Sequence, residues 1–169
     1  MKLYKNKFRV ESTRLKDWDY STPWWYYVTI NTKNKKIWFG KIKDGKMLLN
    51  DLGKIAHEAW EAIPSHYKNT LLDDYVIMPN HIHGIVIFND VETGHAPSLQ
   101  PVNHTLGNIV GSFKSRVTTE IRNISCKDFA WQPRFFDHII RNEEDLRRIR
   151  NYIQQNPLKL GLDEYYSQG

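Results

Sequence analysis

Two strand-like apolar runs meet at a Pro-Asn corner in LDDYVIMPNHIHGIVIF, and this segment constrains the fold more than any other. Residues 71–78 and 82–88 read as the arms of an antiparallel hairpin, with Pro79-Asn80 as the turn signal. His81 and His83 open the second arm. Side chains two apart on a strand share a face, so both imidazoles project together and Ile82 points the other way. That geometry suits the grip of one divalent ion, for which imidazole is a common ligand. The residues alone leave open an incidental His-x-His pair. His57, His66, His95, His104 and His138 lack such spacing and read as surface or structural.

The remaining elements follow from periodicity. Residues 24–32, WWYYVTINT, are aromatic and β-branched, as a strand demands. IWFGKIKDGKMLLN reads as a short hairpin turning at Asp44-Gly45. Asn50 or Asp51 then caps a helix to about residue 62, with Leu52, Ile55, Ala59 and Ile63 at helical spacing and Pro64 at its end. Residues 89–104 are Gly-, Pro- and polar-rich and read as a loop. Thr105 caps a long helix whose stripe is Leu106, Ile109, Val110, Phe113, Val117 and Ile121. Residues 135–141 read as the last strand. Asn142 caps a final helix with Glu143, Glu144 and Asp145 in its first turn, and Pro157 stops it at or just before Asn156.

Without the small hairpin, the order is β-α-β-β-α-β plus a helix. This predicts an α+β, ferredoxin-like antiparallel sheet with helices on one face, the other face free for a ligand, and a C-terminal helix. The 169 residues predict one domain, 1–169, with a basic N-terminal arm at 1–23 and a polar tail at 158–169. A net charge of +5 favours an anionic partner without identifying it, and 13% aromatics mixed with Lys and Arg suit single-stranded nucleic acid. The single cysteine, Cys126, excludes an intrachain disulfide and a Cys-based zinc cluster. The opening MKLYKNKFRVES carries no apolar stretch behind its cations, and no run approaches the roughly 20 apolar residues of a membrane span. The expected location is the cytoplasm.

Tyr152 and Asn156 lie one turn apart on one face of the final helix, beside the stripe Leu146, Ile149 and Ile153. Read by itself, Tyr152 also fits a boundary tyrosine with its ring packed and hydroxyl wet. Arg14, Lys114, Arg116, Arg122, Arg134 and Arg148 are candidates for phosphate contacts, and each also reads as a solvated surface charge. Trp18 and Tyr20 can stack on bases or pin the N-terminal arm to the domain. Asp137-His138 reads as a supporting pair for the site or as a cross-strand structural pair.

The chain resembles the single-tyrosine HUH transposases, most closely the REP-associated tyrosine transposase branch. The resemblance is carried by RLKDWDYSTPWWYYVTI, FGKIKDGKM, LDDYVIMPNHIHGIVIF, VGSFKSR and WQPRFFDHIIRNEEDLRRIRNYIQQNPLKLGLD, spread over nearly all of the chain. The HIH core after MPN and the YIQQNP segment are its specific parts. The resemblance implies that His81 and His83 bind a divalent metal ion, Mg²⁺ or Mn²⁺, and that Tyr152 is the nucleophile. It places Asn156 where a third, amide-bearing ligand comes from the nucleophile's helix, although some branches carry Gln there. It further implies a ferredoxin-like fold, a substrate of single-stranded DNA with hairpins, a 5′-phosphotyrosine intermediate, and a homodimer or a monomer. Two other readings compete: a DNA-binding module that keeps the fold without cutting, and a metal-dependent hydrolase in which Tyr152 is structural.

Overall fold

A computed structural model describes residues 15–89, 104–124 and 126–159, and the backbone of the two-residue strands β1 (Leu3–Tyr4) and β2 (Lys7–Phe8). The other elements are β3 (Trp25–Asn31), β4 (Gly40–Lys43), β5 (Lys46–Leu49), α1 (Asp51–Glu61), α2 (Ile63–His66), β6 (Thr70–Ile77), β7 (His81–Phe88), α3 (Leu106–Asn123), β8 (Phe136–Ile139) and α4 (Glu143–Gln155). Arg14, most of the basic arm, the loop over 90–103 and the tail beyond Lys159 lie outside the described residues.

The principal sheet runs β6-β7-β3-β8, antiparallel throughout, which is the ferredoxin-like strand order. Its two inner strands are the most apolar runs of the sequence, as strands paired on both edges require. β4 and β5 form the separate small hairpin, with Asp44 and Gly45 both at positive φ in the turn.

One face of the sheet carries Tyr26, Val28 and Ile30 from β3 and Ile82, Val86 and Phe88 from β7, all buried. Against it lie α1, with Ala56, Ala59 and Trp60, and α3, whose six-residue stripe is buried as its periodicity predicts. A Cβ at Gly84 would overlap the Trp60 ring, so glycine lets the indole approach the strand backbone closely. Asn50 caps α1 through Gly53 N–H, and Thr105 caps α3 with Asn108 returning the bond to the cap's own N–H. Pro64 falls in the first turn of α2, where its missing N–H is harmless.

The opposite face, which the sequence predicts to be free for a ligand, is instead covered in part by a helix. α4 crosses it and buries Leu146, Ile149 and Ile153 against Tyr27, Ile85, Ile87 and Ile140. β6 is irregular between Leu72 and Tyr75, which leaves Asp73 and Asp74 to face α4. Arg150 donates from Nε and Nη2 to Asp73 Oδ2 at 2.9 and 2.6 Å, and Gln154 donates to Asp74 at 2.7 Å. At its other end Asp145 accepts from Arg148 and pairs with His138 of β8, both at 2.7 Å. β8 is shorter than the expected 135–141 and yields to the α4 cap, where Asn142 accepts from Asp145 N–H.

Candidate functional site

His81 and His83 open β7 on the α4 face and are both fully buried. The register pairs Asn31 with His81, Thr29 with His83 and Tyr27 with Ile85, so these three β3 side chains share that face. The sequence gives these three no site role, and Asn80 only that of a turn residue. Their signal is the alternation in YYVTIN, which becomes legible only once the register with β7 is known.

The two rings meet edge to face, with their Nε2 atoms 3.0 Å apart. Asn80 decides the tautomer of the first. Its Nδ2 donates to the Lys35 carbonyl at 2.9 Å, which turns Oδ1 toward His81 Nδ1 at 2.6 Å. That oxygen accepts a hydrogen bond from Nδ1–H, which keeps the proton on Nδ1 and makes Nε2 of a neutral His81 the acceptor nitrogen. Asn80 is itself held through its carbonyl, which accepts from the Thr32 amide and hydroxyl, both at 2.9 Å. His83 Nδ1 lies 2.8 Å from the Tyr27 hydroxyl and 2.9 Å from Thr29 Oγ1. Hydroxyls accept as readily as they donate, so this pair can hold the His83 proton on Nδ1, which makes Nε2 of that ring the acceptor atom as well.

Two lone pairs facing each other at 3.0 Å repel unless a proton or a cation lies between them. Metal–nitrogen bonds of about 2.0–2.1 Å from one ion can end on atoms at that separation. Imidazoles anchored through Nδ1 are also the usual form of histidine ligands. Among the described residues no group of three His, Cys, Asp or Glu side chains converges. Among those residues, the groups left to complete a cation's shell are amide oxygens, with water or substrate oxygens beside them.

α4 brings Tyr152 to this point. Its ring centroid lies 5.2 Å from that of His83 and 6.5 Å from that of Tyr27, in the same chain, and the side chain is 36% exposed. One turn later Asn156 begins a 3-10 turn and is buried, and its Oδ1 has no hydrogen-bond partner among the described residues. Asn31 Oδ1 is in the same state. Both are acceptors that suit a cation or a donor from a ligand.

The basic candidates do not gather here. Lys114, Arg116 and Arg122 belong to α3, so the sheet separates them from the histidine face. Lys114 donates to the carbonyls of Gln132 and Arg134 at 2.8 and 3.1 Å, and burial pushes its pKa down to about 8. Arg116 holds Glu120 and Arg122 holds the Phe129 carbonyl. Arg134 and Arg148 are exposed. Trp18 Nε1 donates to the Tyr26 hydroxyl at 3.1 Å, and Tyr20 packs on the same ring, so both pin the arm. Asp137 and His138 point to opposite faces of β8; His138 partners Asp145 instead.

No family model matches the chain. An uncharacterized protein of Haemophilus influenzae is 38% identical over 165 residues, which cover 92% of this chain and 92% of that protein. The REP-associated tyrosine transposase of Escherichia coli is 28% identical over 90 residues, or 53% of this chain and 46% of that protein. Among solved structures, a REP-associated tyrosine transposase bound to a REP hairpin superposes with a TM-score of 0.61 at 21% identity, covering 92% of this chain and 77% of that one. At that identity the likeness establishes a common fold. No helix among the described residues is long and apolar enough to cross a membrane.

Proposed function

We propose that the chain is a tyrosine transposase of the kind named by its 28% identical relative, whose solved counterpart shares its fold, and that it cleaves and rejoins single-stranded DNA beside hairpins, with Tyr152 as nucleophile and with His81, His83 and Asn156 holding a divalent ion, Mg²⁺ or Mn²⁺. The observation that carries this reading is the approach of the Tyr152 ring to within 5.2 Å of His83 inside one chain. The hairpin substrate rests on the solved relative, which was bound to one.

The chemistry is a phosphoryl exchange. The Tyr152 oxygen attacks the scissile phosphorus and forms a P–O bond, the bond to the 3′-oxygen breaks, and the 3′-hydroxyl leaves with a proton. The product is a 5′-phosphotyrosine. Because the ester bond is conserved rather than hydrolysed, a second 3′-hydroxyl can reverse the step and join ends without a nucleotide cofactor. A bound cation would withdraw charge from the phosphate and lower the barrier to attack by a phenol whose ordinary pKa is near 10. Asn80, Tyr27 and Thr29 orient the two imidazoles. The Arg150–Asp73 and Gln154–Asp74 contacts hold α4 so that Tyr152 faces them. Water takes the phenolic proton, the exposed side of Tyr152 being open to it. Arg134 and Arg148 are candidates to hold the flanking strand, and the α3 cations can only meet DNA that wraps to the far side of the sheet.

The test is a denaturing gel of labelled hairpin-flanked single strands incubated with the protein and Mg²⁺ or Mn²⁺. A covalent protein–DNA adduct that Tyr152→Phe abolishes is the expected result. Binding without an adduct would leave a DNA-binding module, and cleavage surviving Tyr152→Phe would leave a hydrolase that uses the histidines alone. A mixture of Tyr152→Phe and His83→Ala proteins should form no adduct, because each site draws both residues from one chain.

A further inference from the structure

We propose that Asn31 supplies a further oxygen ligand, through Oδ1, to the cation held between His81 and His83. The inference rests on the cation site proposed above and adds a ligand from a second strand.

Asn31 is the last residue of β3 and stands directly opposite His81 in the antiparallel pair. Directly opposed side chains have Cβ atoms about 4.5–5.5 Å apart, within reach of one ion by an amide and an imidazole. The Asn31 side chain is 8% exposed, and Oδ1 is buried with no hydrogen-bond partner among the described residues. A buried carbonyl oxygen without a partner destabilises a fold, so its persistence calls for a ligand. The polar groups around it are already engaged. His81 Nδ1 is held by Asn80, the Thr29 hydroxyl by Tyr27 and His83, and the Asn31 carbonyl itself by Gln132 N–H at 2.9 Å.

A cation on the two Nε2 atoms would satisfy Asn31 Oδ1 from β3 as Asn156 Oδ1 would satisfy it from the end of α4. The donor set becomes two nitrogens and two neutral oxygens, with open positions left for a phosphate oxygen and water. Oxygen ligands shift such a site toward hard ions such as Mn²⁺ and Mg²⁺ and away from ions that prefer a purely nitrogen or sulfur set.

The experiment reads metal binding without DNA. Wild type, Asn31→Val, Asn31→Asp and His81→Ala are titrated with Mn²⁺, free ion is followed by electron paramagnetic resonance, and each protein is also melted in EDTA. Asn31→Val should bind Mn²⁺ about ten- to a hundred-fold more weakly, while its metal-free melting temperature stays level or rises, because an unpartnered polar atom has gone. Asn31→Asp should bind at least as tightly as wild type. Asn31→Val that binds like wild type, or Asn31→Asp that binds as weakly as Asn31→Val is expected to, overturns the inference. If wild type binds and His81→Ala does not, that failure belongs to Asn31 alone. If wild type takes up no Mn²⁺, the cation reading falls and this one with it.

Discussion

The two faces of the central sheet are both buried but built on opposite rules. Under α1 and α3 the face is carbon almost throughout, with Trp60, Phe113, Ile82 and Val86 in contact. Under α4 it is divided. Ile85 and Ile87 meet Leu146, Ile149 and Ile153 at one end, and at the other His81, His83, Thr29 and Asn31 form a polar patch near Tyr152. Burying amide oxygens that lack a hydrogen-bond partner, as at Asn31 and Asn156, opposes folding. The polar end is tolerable because the apolar layer supplies the stability and because the sheet makes the backbone under the histidines rigid. One face holds the fold, and the other uses that rigidity to hold a geometry.

The contrast can be broken first at Trp60, whose indole is fully buried on the apolar layer. Trp60→Ala should lose about 3–5 kcal/mol, read as a fall in the denaturant midpoint. A variant that lost under about 1 kcal/mol would mean that this layer is not the main source of stability. Gly84→Val comes next. The new side chain would collide with the same ring, at about 1–3 kcal/mol, although it flanks His83 and touches nothing on the polar face.

Smaller effects belong to the α4 side. Arg150→Ala removes the pair with Asp73, which is partly screened by solvent, and should cost about 1 kcal/mol. Its effect on adduct yield should exceed its effect on stability, because the helix that carries Tyr152 loses an anchor. Asp145 gives a pH signature of similar size. Burial alone would raise its pKa, but hydrogen bonds from Arg148 and His138 bring it down to about 2, below the ordinary 3.8. A depressed carboxylate stabilises the fold above its unfolded pKa and loses that contribution as pH falls through the folded one. The stability difference between wild type and Asp145→Asn, about 1 kcal/mol after allowance for screening, should therefore be full above about pH 4 and gone near pH 2. The smallest change in stability, under about 1 kcal/mol, is expected for the half-exposed Tyr152→Phe, the variant that should lose all adduct.

Much of this was legible beforehand where the signal is local. The Pro79-Asn80 turn, the caps at Asn50, Thr105 and Asn142, and the α3 stripe all appear where the residues predict them. What escaped was long-range. Asn80 reads as a turn residue, yet it turns the His81 ring through an amide oriented by Lys35, 45 positions away. Asp73 and Asp74 fall inside the run read as the first hairpin arm, and only a docked α4 makes them anchors. Lys114 reads as a phosphate contact or a solvated surface charge; in the fold its ammonium donates to two backbone carbonyls, which no spacing within the sequence announces.

From the sequence by itself came the pairing of His81 with His83 on one face and of Tyr152 with Asn156 on one helix turn, because strand and helix periods are properties of the backbone. Tertiary structure alone decided that Tyr152 comes to the histidine face and that Asn31 stands opposite His81. Strand register and the landing of a helix on a sheet are fixed by contacts among residues scores of positions apart, and an apolar stripe encodes that it will be buried without encoding where.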